Sequence, residues 1–185
     1  MTEDILFHEV QHSRQWWLWL LVVVVTAASW YSFVNQVVLG GAVGDHPASN
    51  LLISIIWFLA GVAFPVFFIV LRLEVTVRSD RIDIRYFPLF RRSYPANGIE
   101  KAYARVYRPL AEYGGWGVRW SPANGWAYNT GGNTGVQLQL TSGKKLLIGS
   151  QRAEELQKAI AAMMSKRKNA AGPAGTRSRR KGKRK

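Results

Sequence analysis

Three histidines, eleven carboxylates and no cysteine limit what chemistry this 185-residue chain can assemble. Without cysteine there are no disulfides, no thiolate nucleophile and no Cys-type zinc or iron–sulfur site. His8, His12 and His46 all precede residue 72, where the water-facing part of the chain begins. Ser/His/acid triads, Cys/His pairs and histidine-rich metal cages are therefore unavailable within that part. Asp45-His46 is one acid beside one histidine, too few ligands for a metal. Asp80, Asp83, Glu100 and Glu112 are the acids from which a general acid/base pair would be drawn, but Asp80 falls at a turn and Asp83 on a polar strand face. Gly114-Gly115-x-Gly117 is followed by neither Lys-Ser/Thr nor a strand-to-helix switch, so it is neither a phosphate loop nor a dinucleotide fingerprint. The expectation is a non-enzyme with no metal and no cofactor.

Binding is the better prospect. Arg91, Arg92, Lys101, Arg105 and Arg119 are candidates for an anionic-ligand surface, and Trp116, Trp120, Trp126 and Tyr128 for an aromatic groove that takes a peptide or a lipid tail. The formal net charge of +14 is unevenly placed. Residues 72–165 carry fourteen Lys/Arg against seven acids, whereas residues 166–185 carry ten Lys/Arg and no acid. Those ten are Lys166, Arg167, Lys168, Arg177, Arg179, Arg180, Lys181, Lys183, Arg184 and Lys185, set among Gly, Pro and Ala with no larger apolar residue. Such a tail cannot bury enough surface to fold and is expected to be disordered. Anionic lipid and nucleic acid would both attract it; tethering at a bilayer makes lipid the nearer polyanion.

The bilayer enters through two apolar runs. Leu51–Leu71 is 21 residues without a charge, and Trp16–Leu39 is 24. At about 1.5 Å per helical residue either run covers the ~30 Å hydrocarbon core of a membrane. Trp16, Trp17 and Trp19 suit the headgroup boundary, and the acidic flank before them together with the length of the run argues against a cleaved signal peptide. Thr26, Ser29, Ser32, Asn35 and Gln36 make the first span partly polar, which fits helix packing against Ser54 and Gly61 better than a substrate path, because neither span holds an ionisable group. Pro65 is expected to kink the second span after Gly61. Gly40–Asn50 has no Lys or Arg, while Arg72, Arg78, Arg81, Arg85, Arg91 and Arg92 follow the second span. By the positive-inside rule the loop faces outward and both termini are cytoplasmic, at the plasma (inner) membrane. In residues 1–15, a pre-membrane segment, Leu6 and Val10 share a helical face or Ile5–Gln11 runs extended.

From residue 73 the hydrophobic period becomes two. Leu73, Val75 and Val77, then Ile82, Ile84 and Tyr86, flank the turn Ser79-Asp80 as a half-buried antiparallel hairpin. Phe90–Tyr94, Ile99–Tyr107, Tyr113–Trp120, Gly125–Thr130, Val136–Thr141 and Lys144–Gly149 supply further strands between Pro-, Asn- and Gly-rich turns. Ser150 can cap a helix in which Leu156, Ala159, Ile160 and Met163 form one apolar stripe. The fold expected is an α+β membrane protein. A two-helix transmembrane hairpin (16–71) is followed by a β-barrel or sandwich of about seven antiparallel strands capped by a C-terminal α-helix (72–165), and then by the basic tail (166–185).

That order resembles prokaryotic two-span membrane proteins carrying a pleckstrin-homology-like domain. The stretches that carry the likeness are Tyr113-Gly114-Gly115-Trp116-Gly117-Val118-Arg119, Gly135-Val136-Gln137-Leu138, Gly143-Lys144-Lys145-Leu146-Leu147-Ile148-Gly149-Ser150 and Phe7-His8-Glu9-Val10-Gln11. The resemblance spans residues 5–165 and implies fold and topology, with no agreed activity. One departure is specific: the two-residue connection Ser79-Asp80 is too short, and too acidic, to wrap a phosphoinositide headgroup. The function expected is a non-catalytic docking or assembly platform, with an unknown protein partner or a second copy of the chain, and a tail on anionic lipid. The alternatives are an accessory subunit of a transporter or export system with the hairpin as its working part, or nucleic-acid association through the tail.

Overall fold

The computed structural model describes residues 4–13, 15–41 and 48–170, and is α+β with two sheets and two long apolar helices near the N-terminus. The chain divides into two compact units. One gathers the described residues of 10–74 and 85–91; the other gathers those of 1–9, 75–84 and 92–185.

In the first unit, helix α1 (Trp16–Phe33) runs on through a π-helical turn, Val34–Val38. Helix α2 (Asn50–Ile56), capped by the Ser49 hydroxyl, continues through π-helical Trp57–Ala63 into α3 (Phe64–Val70). Both composite helices are long and apolar enough to cross a membrane, and hardly any of their surface is covered. Their pairing follows from two residues. Pro65 has no N–H, so the carbonyl four residues earlier, on Gly61, loses its helical donor. The Trp30 indole takes that carbonyl at 3.1 Å. A β-carbon on Gly61 would stand 2.8 Å from the Ser29 hydroxyl, so glycine is what lets the helices approach this closely. Trp57 then stacks on Phe33 at 4.3 Å and meets Trp30 edge-on at 5.1 Å. Other polar groups of the first span have local partners, although Thr26 Oγ1 and Gln36 Oε1 are buried without one among the described residues. Ser32 and Asn35 bond carbonyls one turn back, and Gln36 donates to the Ala48 carbonyl and Asn50.

The strands form a four-stranded sheet, β1 (Ile5–His12), β2 (Arg72–Arg78), β3 (Arg81–Phe87) and β4 (Phe90–Pro95) in that order, and a five-stranded sheet. The latter comprises β5 (Ile99–Val106), β6 (Gly117–Ser121), β7 (Gly125–Asn129), β8 (Thr134–Leu140) and β9 (Lys145–Gly149), in the order β5-β8-β9-β7-β6. The alternation read from sequence is the alternation buried: Leu73, Val75, Val77, Ile82 and Ile84 are inaccessible to solvent. Helix α5 (Ala153–Ala170) packs on β5 and β8 through Leu156, Ala159, Ile160 and Met163.

Three features depart from the sequence reading, and one choice it left open, helical or extended for residues 5–11, resolves as a strand. Among the described residues there is no closed barrel; nine strands make two sheets, and β7 pairs parallel to β9, Trp126 opposite Leu146 and Tyr128 opposite Ile148. Hydrophobic alternation fixes which face a side chain joins but says nothing of strand direction, and β9 had an edge free beyond its hairpin with β8. The pre-membrane segment is strand β1, whose alternate residues Phe7, Glu9 and Gln11 are buried. A short helix, α4 (Pro109–Tyr113), stands where the strand was expected to begin, ended by Gly114 at φ 71°. Finally α5 continues to Ala170, so Lys166, Arg167 and Lys168 are helical rather than part of a disordered tail. Basic residues suit a helix C-terminus, where they meet the negative end of the dipole. The rest of the tail, from residue 171, lies outside the described residues.

Candidate functional site

The basic candidates do not converge. Arg91 and Arg92 lie on β4, Lys101 and Arg105 on β5, and Arg119 on β6; β5 and β6 are opposite edges of the five-stranded sheet. Arg105 is engaged internally. Its Nη2 donates to Glu112 at 2.7 Å and its Nε to Gln137 Oε1 at 3.1 Å. Glu112 also accepts the Arg108 backbone N–H at 2.7 Å, closing the first turn of α4. The bond from Arg105 holds the Glu112 carboxyl below its ordinary range. Burial acts to lower the Arg105 pKa, but the Glu112 hydrogen bond and charge outweigh it and raise it.

Behind this pair lies an aromatic cluster of Tyr107, Tyr113, Ala127 and Leu147. Burial pushes the Tyr107 hydroxyl up to about 12 and likewise raises Tyr113. The Tyr107 hydroxyl, Asn129 Nδ2 and Gln137 Nε2 are buried without a hydrogen-bond partner.

The aromatic candidates separate into three. Trp120 and Trp126 face each other across the β6–β7 hairpin and remain 58% and 47% exposed. With Pro122, Ala123, Lys144 and Lys145 they line a depression of about 350 Å³. Tyr128 is buried, its hydroxyl 3.4 Å from that of Tyr94, while Trp116 is tied to the Gly132 carbonyl by its indole N–H at 2.8 Å. The groove thus reduces to a tryptophan pair beside two lysines, able to hold an apolar group next to an anion.

Of the candidate acids, Glu100 is exposed on β5 and the other three are engaged by arginines. Asp80 pairs with Arg81 at 2.9 Å, and Asp83 takes Arg78 at 3.1 Å and Ser93 at 2.7 Å. His8 meets the Thr76 hydroxyl at 3.0 Å. Among the described residues no group of three or more His, Asp or Glu is placed to hold a metal; Asp45 and His46 lie outside them. In the tail, Lys166 approaches Asp4 at 3.6 Å and Arg167 donates to the Ala96 carbonyl at 2.8 Å. Arg177, Arg179, Arg180, Lys181, Lys183, Arg184 and Lys185 fall outside the described residues.

A scan of known families matches residues 2–166 to a family of unknown function, DUF6141. The chain belongs to this family. The DUF6141 match takes in β1, both apolar helices, both sheets and α5 as far as Lys166, and leaves out Arg167 onward. No curated protein and no solved structure matches the chain.

One contact within the DUF6141 region had no signal in the sequence. Glu9 on β1, 7% exposed, accepts the Ser150 hydroxyl at 2.5 Å and the Gln151 backbone N–H at 3.0 Å, just ahead of α5. Ser150 Oγ in turn accepts the Arg152 N–H at 3.0 Å. Arg152 donates to the His8 carbonyl at 2.6 Å and lies over the Phe7 ring at 4.8 Å. The Ser150 cap was readable; the distant carboxylate that completes it was not.

Proposed function

We propose that this chain is an integral membrane protein with two spans, whose pleckstrin-homology-like domain faces the cytoplasm as a non-catalytic docking platform. The observation that carries this reading is the uncovered apolar surface of both long helices, with large side chains such as Leu20, Val23, Ile55, Leu59 and Ile69 turned outward. Water does not tolerate contiguous apolar surface of that extent, and a bilayer supplies its counterpart. The sheet order supports an even number of crossings. The apolar helices are inserted between β1 and β2, which are neighbours in one sheet, so the chain leaves and re-enters at adjacent strands. The pleckstrin-homology-like reading is supported by two sheets with one C-terminal helix on β5 and β8; the leading β1 and the parallel β7·β9 pair are additions to that plan.

Docking rests on the Trp120–Trp126 pair beside Lys144 and Lys145, which suits an apolar segment bearing carboxylates. The polar residues of the first span favour it over transport, since Ser32, Asn35 and Gln36 bond nearby backbone groups. A photo-crosslinking residue in place of Ala123, in native membranes, is expected to give a discrete adduct that disappears with Trp120→Ala/Trp126→Ala. An unchanged pattern in that double variant would refute the platform.

A further inference from the structure

Charge is distributed unusually around α4. Between Glu100 and Glu154 the chain has seven Lys/Arg and one acid, Glu112, and that acid is already engaged by Arg105. Arg108 is exposed; its backbone N–H bonds Glu112 and its charge acts on that carboxylate, but among the described residues its guanidinium closes no salt bridge. Val106 and Leu110, either side of it, are 69% and 67% exposed. Leu110 adjoins a second basic group. A β-carbon on Gly115 would stand 4.0 Å from Leu110 Cδ2 and 3.8 Å from Arg119 Nη2. Arg119 Nε donates to the Trp116 carbonyl at 3.0 Å, and the Trp116 ring is half-exposed. So Leu110 and Arg119 meet over the buried Gly115, with Trp116 joined to Arg119 and with Arg108 and Val106 next to Leu110 in the chain.

We infer that this α4 surface is a second, lipid-facing contact, which sets Leu110 and Trp116 into the headgroup layer of an anionic membrane while Arg108 and Arg119 neutralise lipid phosphates. A leucine on a short helix, flanked by an indole and two arginines from the adjoining segments, has the composition of interfacial elements. The inference rests on the membrane reading above. It differs from the tail in having apolar groups that enter the interface, and so should resist salt better than charge alone.

The absence of cysteine allows a clean test with the full chain in lipid nanodiscs. An environment-sensitive fluorophore is placed on Ala111→Cys, exposed beside Leu110, with Asn97→Cys as an aqueous reference and Leu59→Cys in the second apolar helix. In phosphatidylcholine discs containing phosphatidylglycerol, the Ala111 label should shift to the blue and be quenched by a headgroup-depth spin label, whereas Asn97 should not. Arg108→Gln and Arg119→Gln should each lower the ratio of quenched to free label about fivefold, the factor equivalent to about 1 kcal/mol per base near an anionic surface. Leu110→Asp should abolish quenching with circular dichroism unchanged. The inference is overturned if Ala111 behaves as Asn97, or responds equally in discs without anionic lipid. It is overturned too if the Ala111 label becomes shielded in detergent as protein concentration rises, which would make the surface an interface between copies of the chain. Quenching at Leu59 without quenching at Ala111 removes this inference alone; no deep quenching at Leu59 removes the membrane reading with it.

Discussion

Glu9 is the residue whose loss has the most legible cost. Its carboxylate accepts a buried hydroxyl and a partly buried amide at the start of α5. Glu9→Ala strands those donors, and thermal unfolding should show a loss of about 1–3 kcal/mol. Glu9→Gln, which keeps one acceptor oxygen, should lose less. Equal losses for the two would mean that the carboxylate is not what holds the β1 end to α5. Glu112 adds a pH dependence. Its pKa is depressed in the folded chain by Arg105, so its stabilisation is complete above the ordinary glutamate value and disappears as pH falls through the depressed one. Glu112→Gln should flatten the acid limb of stability against pH, measured by denaturant melts; an unchanged limb would assign it to other carboxylates.

At the scale of elements, two glycines with similar backbones separate strain from collision. Gly125 (φ 73°) opens β7, and a β-carbon there would lie 2.0 Å from the Lys145 carbonyl oxygen of neighbouring β9. Gly143 (φ 77°) turns β8 into β9 with nothing within 4 Å. Gly143→Ala should cost about 1–2 kcal/mol, the left-handed penalty alone. Gly125→Ala should cost clearly more, because backbone must move, and comparative melting curves would show it. Comparable costs would contradict the parallel β7·β9 pairing. That pairing shows where sequence reading stops. The β2–β3 hairpin, the β8–β9 hairpin and the stripe of α5 were legible, since each depends on local period and turn chemistry. Strand order, the parallel pair and α4 depend on partners distant in the chain. Tyr113–Trp120 reads as one strand, but the strand begins at Gly117, and Tyr113 closes a helical turn that starts at Pro109 and ends at Gly114.

For the molecule as a whole, the apolar runs gave both long helices to within a residue or two at most ends, because length and hydropathy are local properties. The role of residues 5–12 was open between helix face and extended chain, and only the sheet makes it a strand next to β2. The site was less legible. The five basic candidates scatter over two sheets, Arg91 and Arg92 on β4 and the other three on opposite edges of the five-stranded sheet, and Arg105 faces inward to Glu112. Of the four aromatics, Trp120 and Trp126 alone share an exposed face, a consequence of their register across the hairpin. Everything proposed for this surface presupposes that it lies on the cytoplasmic side of a twice-crossed bilayer. The direct measurement is labelling of single-cysteine variants in intact cells with a membrane-impermeant maleimide. Ala48→Cys, between the apolar helices, should react from outside, and Asn97→Cys, beyond β4, should react after permeabilisation and not before. Reaction of Asn97→Cys in sealed cells would contradict the account.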